Sequence, residues 1–135
     1  MNPALAIDYG KKRCGLAITD DLRIIASPLE TVATETLLSW LRREVPARHI
    51  SDIVFGMPYR LSGEASALSE DIRAMAAKVA RSFPTAGIHF VDETFTSKMA
   101  GQALVAGGMK KKDRRKKENL DKVSAALILQ SYLGL

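Results

Sequence analysis

The sequence predicts an α/β domain built on a mixed five-stranded sheet: a three-strand antiparallel meander, a parallel portion, and helices on both faces. Three observations predict it. Short apolar runs follow one another through tight turns between residues 4 and 28. From Thr34 the apolar period changes from that of a strand to that of a helix. Strand-like and helical runs then alternate, the pattern of parallel strands joined by right-handed crossovers.

The first hairpin carries the most information. Ala4-Leu5-Ala6-Ile7 is a buried run that ends in Asp8-Tyr9-Gly10; Lys11-Lys12-Arg13 forms the turn, and a second run starts at Cys14. Residues 23–28 are predicted as the third strand, turned by Asp20-Asp21 and stopped by Pro28. Leu37, Leu38, Leu41 and Val45 then recur at helical spacing up to Pro46, with Trp40 at the edge of the core and its indole nitrogen exposed. Residues 52–58 read as a buried strand leaving the sheet through Gly56-Met57-Pro58. Leu68, Ile72, Met75, Ala76, Val79 and Phe83 mark a long helix closed by Pro84. A fifth strand, 87–93, ends in acid as the first does; a helix over 97–105 stops at Gly107-Gly108, and a final helix from Leu120 carries Asp121 in its first turn. In this topology the first strand is central, and a ligand site forms at the carboxyl ends of the parallel strands, where Asp8 and Glu93 fall.

With 135 residues, 47% of them hydrophobic and 26% charged, the chain suits one domain spanning 1–135. No apolar run approaches the ~20 residues of a membrane span, and the start carries no secretory pattern, so a cytoplasmic protein with no membrane association is expected. The lone Cys14 permits no internal disulfide and reads as a small core side chain. Lys110, Lys111, Lys112, Asp113, Arg114, Arg115, Lys116 and Lys117 sum to +6 against +5 for the whole chain. The basic excess is therefore one segment, expected as a mobile loop that contacts phosphate backbone rather than base edges.

A carboxylate directly after four apolar residues costs several kcal/mol to desolvate unless a cation or donors meet it. Asp8, Glu93 and Asp121 stand at the ends of three elements that could converge, and three hard oxygen donors suit Mg²⁺ or Mn²⁺. Paired ions of that kind support in-line phosphodiester displacement. Each acid also has a structural reading: Asp8 could cap its own turn, Asp121 could answer the helix dipole, and of Asp92 and Glu93 only one can face inward. His49 and His89 read as structural. Thr96 or Ser97 is the expected N-cap of the 97–105 helix, whose free amides could hold a phosphate.

With these segments placed, the whole chain resembles the YqgF/RuvX family of RNase H-like nucleases, relatives of the RuvC Holliday-junction resolvases associated with maturing the 5′ end of pre-16S ribosomal RNA. The resemblance rests on residues 8–17 as the opening motif, Val54-Phe55-Gly56-Met57-Pro58, residues 92–97 as the Asp-Glu-Arg motif, and Asp121-Lys122-Val123-Ser124-Ala125-Ala126 in the closing helix. It implies an RNase H-like fold, metal-binding and catalytic roles for Asp8, Glu93 and Asp121, and Mg²⁺ or Mn²⁺ as cofactor. Lys11, Lys12, Arg13, Thr96, Ser97, Lys110, Lys111, Lys112, Arg114, Arg115, Lys116 and Lys117 are the candidate nucleic-acid contacts, with pre-rRNA or branched DNA as partner and a monomer or homodimer as the working form. Thr94 stands where the family usually has Arg, and a hydroxyl cannot replace a forked, charged phosphate contact. Two other readings compete. A non-catalytic nucleic-acid-binding module would bind with strong salt sensitivity and indifference to chelators. An actin-like ATPase is excluded by size, since such enzymes close two domains of this kind around a nucleotide.

Overall fold

Strand β1 (Ala4–Tyr9) runs through the middle of the sheet in the computed structural model, which describes residues 2–58, 63–92 and 117–134, with backbone alone at 63–66 and 117–121. The other strands are β2 (Arg13–Thr19), β3 (Ala26–Ala33), β4 (Asp52–Met57) and β5 (Gly87–Asp92). Their order is β3-β2-β1-β4-β5; β1 pairs antiparallel with β2 and parallel with β4, which pairs parallel with β5. The expected meander and parallel portion are both present.

The third strand departs from expectation. Arg23, Ile24 and Ile25 form the turn, and β3 begins only at Ala26 and runs through Pro28 to Ala33. Pro28 does not stop it because β3 is an edge strand, where a missing N–H can face solvent; the ladder also shifts register beside it, between Leu16 and Ala17. Ile24 and Ile25, which look like strand residues, are instead 61% and 60% exposed. The turn is set by Asp20, whose Oδ1 accepts the N–H groups of Ile24 and Ile25 at 2.8 and 2.9 Å. Those bonds, that of Ile25 above all, hold the Asp20 carboxyl below its ordinary range.

Period-two alternation divides the sheet into two faces. Leu5, Ile7, Leu16, Ile53 and Phe55 meet α1 (Leu37–Ala47) and α2 (Gly63–Ser82) through Leu37, Trp40, Leu41, Ile72, Ala76 and Val79. Ala4, Ala6, Ala17 and Val54 meet α3 (Lys117–Leu133) through Ala125, Ala126, Ile128 and Leu129. Cys14 is buried, as expected. Trp40 is not at the edge: it is 3% exposed, and its Nε1 is buried without a hydrogen-bond partner among the described residues. Its large apolar ring outweighs one unmet donor.

Helix α1 follows a 3₁₀ turn at Thr34–Thr36 and continues one residue past Pro46. It ends where His49 adopts φ +58°, the His49 N–H reaching the Pro46 carbonyl and the Ile50 N–H the Val45 carbonyl at 3.0 Å. These two bonds make a Schellman motif, and buried Ile50 and Val45 supply its apolar contact. His49 is thus structural. Helix α3 starts at Lys117, three residues earlier than the apolar pattern implies, so Lys117 is helical rather than part of a loop.

Candidate metal and nucleic-acid site

Asp8 is the next-to-last residue of β1, half-buried at the sheet end where the parallel strands finish. Ala4 and Ala6 lie on the α3 side, so alternation puts Asp8 on that side too. Its cross-strand partner in β2 is Gly15. On the other flank Ile7 pairs with Phe55, and the same register carried one step sets Gly56 beside Asp8. Neither neighbour has a side chain; both are buried, and Asp8 is half-buried between them. The sequence shows both glycines, but only the strand register shows that they flank the same acid.

A basic turn lies just beyond Asp8. Lys11 and Lys12 are exposed between β1 and β2, and Arg13 is half-buried at the start of β2. Thr34 pins the turn from outside: its Oγ1 donates to the Gly10 carbonyl at 2.6 Å, and its N–H reaches the Lys12 carbonyl at 3.0 Å. A Cβ on Gly10 would stand 2.5 Å from the Arg13 carbonyl oxygen, so this close approach requires glycine. Tyr9, on the opposite face, has its phenol pKa raised by burial first, then by Cys14 and Asp71.

The other expected acids are placed only in part. Helix α3 includes the backbone of Asp121, four residues before Ala125 and seven before Ile128. Ala125 and Ile128 lie in the core beneath α3. Glu93 follows directly after β5 and, with Thr96, Ser97, Lys110, Lys111, Lys112, Arg114, Arg115 and Lys116, lies outside the described residues, as do the expected 97–105 helix and the contact that Thr94 would make. Among the described residues no group of three or more His, Cys, Asp or Glu side chains could hold a metal ion. Asp92 is exposed at the end of β5, whose His89 and Val91 face α3, so Asp92 points to the other side.

A second polar cluster occupies the opposite end of the sheet and escapes the sequence reading. Asp52, the first residue of β4, holds the Arg23 guanidinium through Oδ2 and His89 Nε2 through Oδ1 at 2.9 Å. Arg23 also donates to the Ser51 hydroxyl at 3.0 Å and the Asn2 carbonyl at 2.9 Å. Tyr132 of α3 packs against His89, the two rings tilted by 43° with centroids 4.9 Å apart. Gly87 makes room, since a Cβ there would collide with the Asp52 carboxylate. Partial burial, the largest single influence, raises the Asp52 pKa, but its bonds to Arg23 and His89 outweigh this and hold it below the ordinary value. A depressed carboxyl pKa stabilises the fold above the unfolded value of about 3.9 and loses that contribution as pH falls through the folded value. Thermal unfolding followed from pH 6 to pH 2 is therefore expected to show a loss beginning near pH 4, shared with the likewise depressed Asp20, that Asp52→Asn makes smaller.

Against known proteins, a family model described as RuvX: Holliday junction resolvase matches residues 2–134. A protein of Porphyromonas gingivalis named "Putative pre-16S rRNA nuclease" is 48% identical, the match covering 98% of this chain and 96% of that one. Proteins of the same name from Amoebophilus asiaticus and Flavobacterium psychrophilum are 47% and 44% identical, covering 99% and 96% of this chain and 95% and 94% of their own. Among solved structures, T. thermophilus RuvC in complex with a Holliday junction superposes with a TM-score of 0.63 at 15% identity, over 99% of this chain and 97% of that one. The Fowlpox virus resolvase with Holliday junction DNA gives 0.60 at 15% identity, over 98% and 97%. These similarities support the RNase H-like, RuvC-type sheet expected from the sequence. The full-length family match and relatives approaching half identity place this chain in the RuvX family.

Proposed function

We propose that this protein is a metal-dependent nuclease that hydrolyses phosphodiester bonds in structured RNA, with the 5′ end of pre-16S rRNA as its substrate. The observation that carries the reading is the setting of Asp8: a half-buried carboxylate flanked by glycines near the end of the central strand, on the α3 side of the sheet and beside an exposed dibasic turn. Hard oxygen donors of this kind suit Mg²⁺ or Mn²⁺, and Asp8, Glu93 and Asp121 are the residues that would hold it. When bound, such an ion offsets the charge that develops on the scissile phosphate.

The chain's own residues supply the rest. Glycine at position 15 and, by the same register, at position 56 keeps the side chains of the two neighbouring strands off Asp8. Lys11 and Lys12 draw the flanking phosphates to that edge, and Thr34 holds their turn in place. The three relatives' names favour RNA as substrate; the names of the family model and of the fold neighbours favour a DNA junction, which is the second reading.

Incubating the protein with a labelled pre-16S 5′-end RNA and a four-way DNA junction, each with Mg²⁺ or EDTA, tests the proposal. Cleavage of the RNA that EDTA abolishes is expected. Preferential cutting of the junction would transfer the reading to DNA, and salt-sensitive binding without turnover at any metal concentration would replace it with a binding module. The paired change Lys11→Gln and Lys12→Gln is expected to lower the slope of log affinity against log salt by roughly 1.5, at about 0.7–0.9 per phosphate contact. An unchanged slope, measured by filter binding, would remove the turn from the interface.

A further inference from the structure

We propose that the apolar turn carrying Leu22, Ile24 and Ile25 seats in the groove between the ends of α1 and α2 of a second copy of this chain, and that copy's turn in this one's groove. The result is a two-fold dimer joined through the end of the sheet opposite Asp8.

Three of the four exposed large apolar side chains among the described residues fall in this one turn: Leu22, Ile24 and Ile25 are 67%, 61% and 60% exposed. Scattered singly, such residues are ordinary; gathered in one patch they mark an interaction surface. The turn is also held in shape. Asp20 Oδ1 accepts the Ile24 and Ile25 N–H groups, the Arg23 N–H reaches the Asp20 carbonyl at 3.0 Å, and Arg23 takes φ +57°. The Arg23 guanidinium, bound to Asp52, the Ser51 hydroxyl and the Asn2 carbonyl, ties the turn to the starts of β1 and β4. A docking element fixed in advance loses little further freedom on binding, which raises its affinity.

The groove lies alongside. Val45 and Pro46 at the end of α1 and Phe83 and Ala86 just after α2 form its apolar walls, Asn2 and Ser51 border it, and its volume is about 570 Å³. That is room for several aliphatic side chains. Asn2 and Ser51 are also the residues that Arg23 grips, so turn and groove are adjacent parts of one surface. This adjacency identifies the occupant. A two-fold interface uses the same patch on both copies and is self-complementary, whereas a projection and a pocket on separate surfaces build open chains. A turn beside a groove meets the first condition, each copy offering one and receiving the other.

Charge favours the same pairing. Asp20 and Asp21 are exposed on the turn, whereas exposed Arg81 precedes Phe83 by two residues and Arg48 adjoins the groove through His49. Arg43 and Arg48 share the single carboxylate of Glu44, which leaves that rim basic. Opposite charges flanking an apolar contact fix its register.

Sedimentation of the full chain across the micromolar range tests the proposal. The parent is expected to pass from monomer to dimer as concentration rises, and less readily at high salt, which screens the flanking charges. The paired change Ile24→Glu and Ile25→Glu alters two exposed side chains and leaves their backbone bonds to Asp20 in place. It is expected to raise the dimer dissociation constant at least about thirtyfold, the scale of a central interface residue. Thr85→Trp, which fills the groove from an exposed position, is expected to do the same. The two variants touch separate elements, so a folding defect in one leaves the other as the test. A parent that is monomeric at every concentration would overturn the proposal and leave the turn to a different protein. A dimer that survives either variant would overturn it too, since the turn-in-groove contact would not be what holds the copies together.

Discussion

Asp8→Asn is expected to lower Mg²⁺-dependent cleavage on the order of 10³-fold, the scale on which single essential groups act, while the protein remains folded. The change is nearly isosteric, so the strand and its neighbours Gly15 and Gly56 are undisturbed. What is lost is the negative charge, and a neutral amide oxygen does not offset a divalent cation. Binding of RNA is expected to persist, because Lys11 and Lys12 contact phosphates whether or not Asp8 is ionised. Cleavage, filter binding and thermal unfolding measured on one preparation distinguish the three possibilities. Loss of cleavage alone places Asp8 in the reaction, joint loss of cleavage and folding makes it structural, and undiminished cutting removes it.

Asp52→Ala is expected to produce the largest loss of stability of any single charged-residue change at the far end of the sheet. Removing this carboxylate leaves the Arg23 guanidinium and the His89 ring without their shared acceptor. A fully buried charge stripped of its partner costs about 3–5 kcal/mol; the Arg23 and Asp52 side chains here retain 18% and 22% exposure, so water recovers part of it. A loss of about 2 kcal/mol follows, equivalent to roughly 6–8 °C in melting temperature for a chain of this size. His89→Gln, which removes only one of the two bonds, is expected to cost less. A melting temperature within 1 °C of the parent in Asp52→Ala would show that the cluster is solvated surface.

The sequence made the sheet legible because its signals there are local. Period-two runs, the change to helical spacing at Thr34 and the strand-helix alternation each need only neighbouring residues to be read. The third strand was misjudged because Ile24 and Ile25 have strand character, and nothing local reveals that Asp20 turns them outward. Trp40 was placed at the edge because a helical wheel counts angles but not the depth of the facing core. The polar cluster was invisible for a different reason. Arg23, Asp52, His89 and Tyr132 come from four separate segments, and the spacings between them carry no period or motif.

The site was legible to the extent that acids at strand ends are anomalous. Asp8 stood out because its preceding residues are apolar, and the structure adds the glycines on either side. The dibasic turn was equally plain from sequence, whereas the Thr34 contact that holds it depends on how the 3₁₀ turn packs against the hairpin. A threonine twenty-four residues from its acceptor carries no advance signal.

Anomalous scattering from crystals soaked in Mn²⁺ tests the central claim most directly. The account predicts a peak within coordination distance of the Asp8 carboxylate, on the side of the sheet covered by α3. Density showing that carboxylate locked in an ion pair with a lysine or arginine, with no manganese beside it, would contradict it.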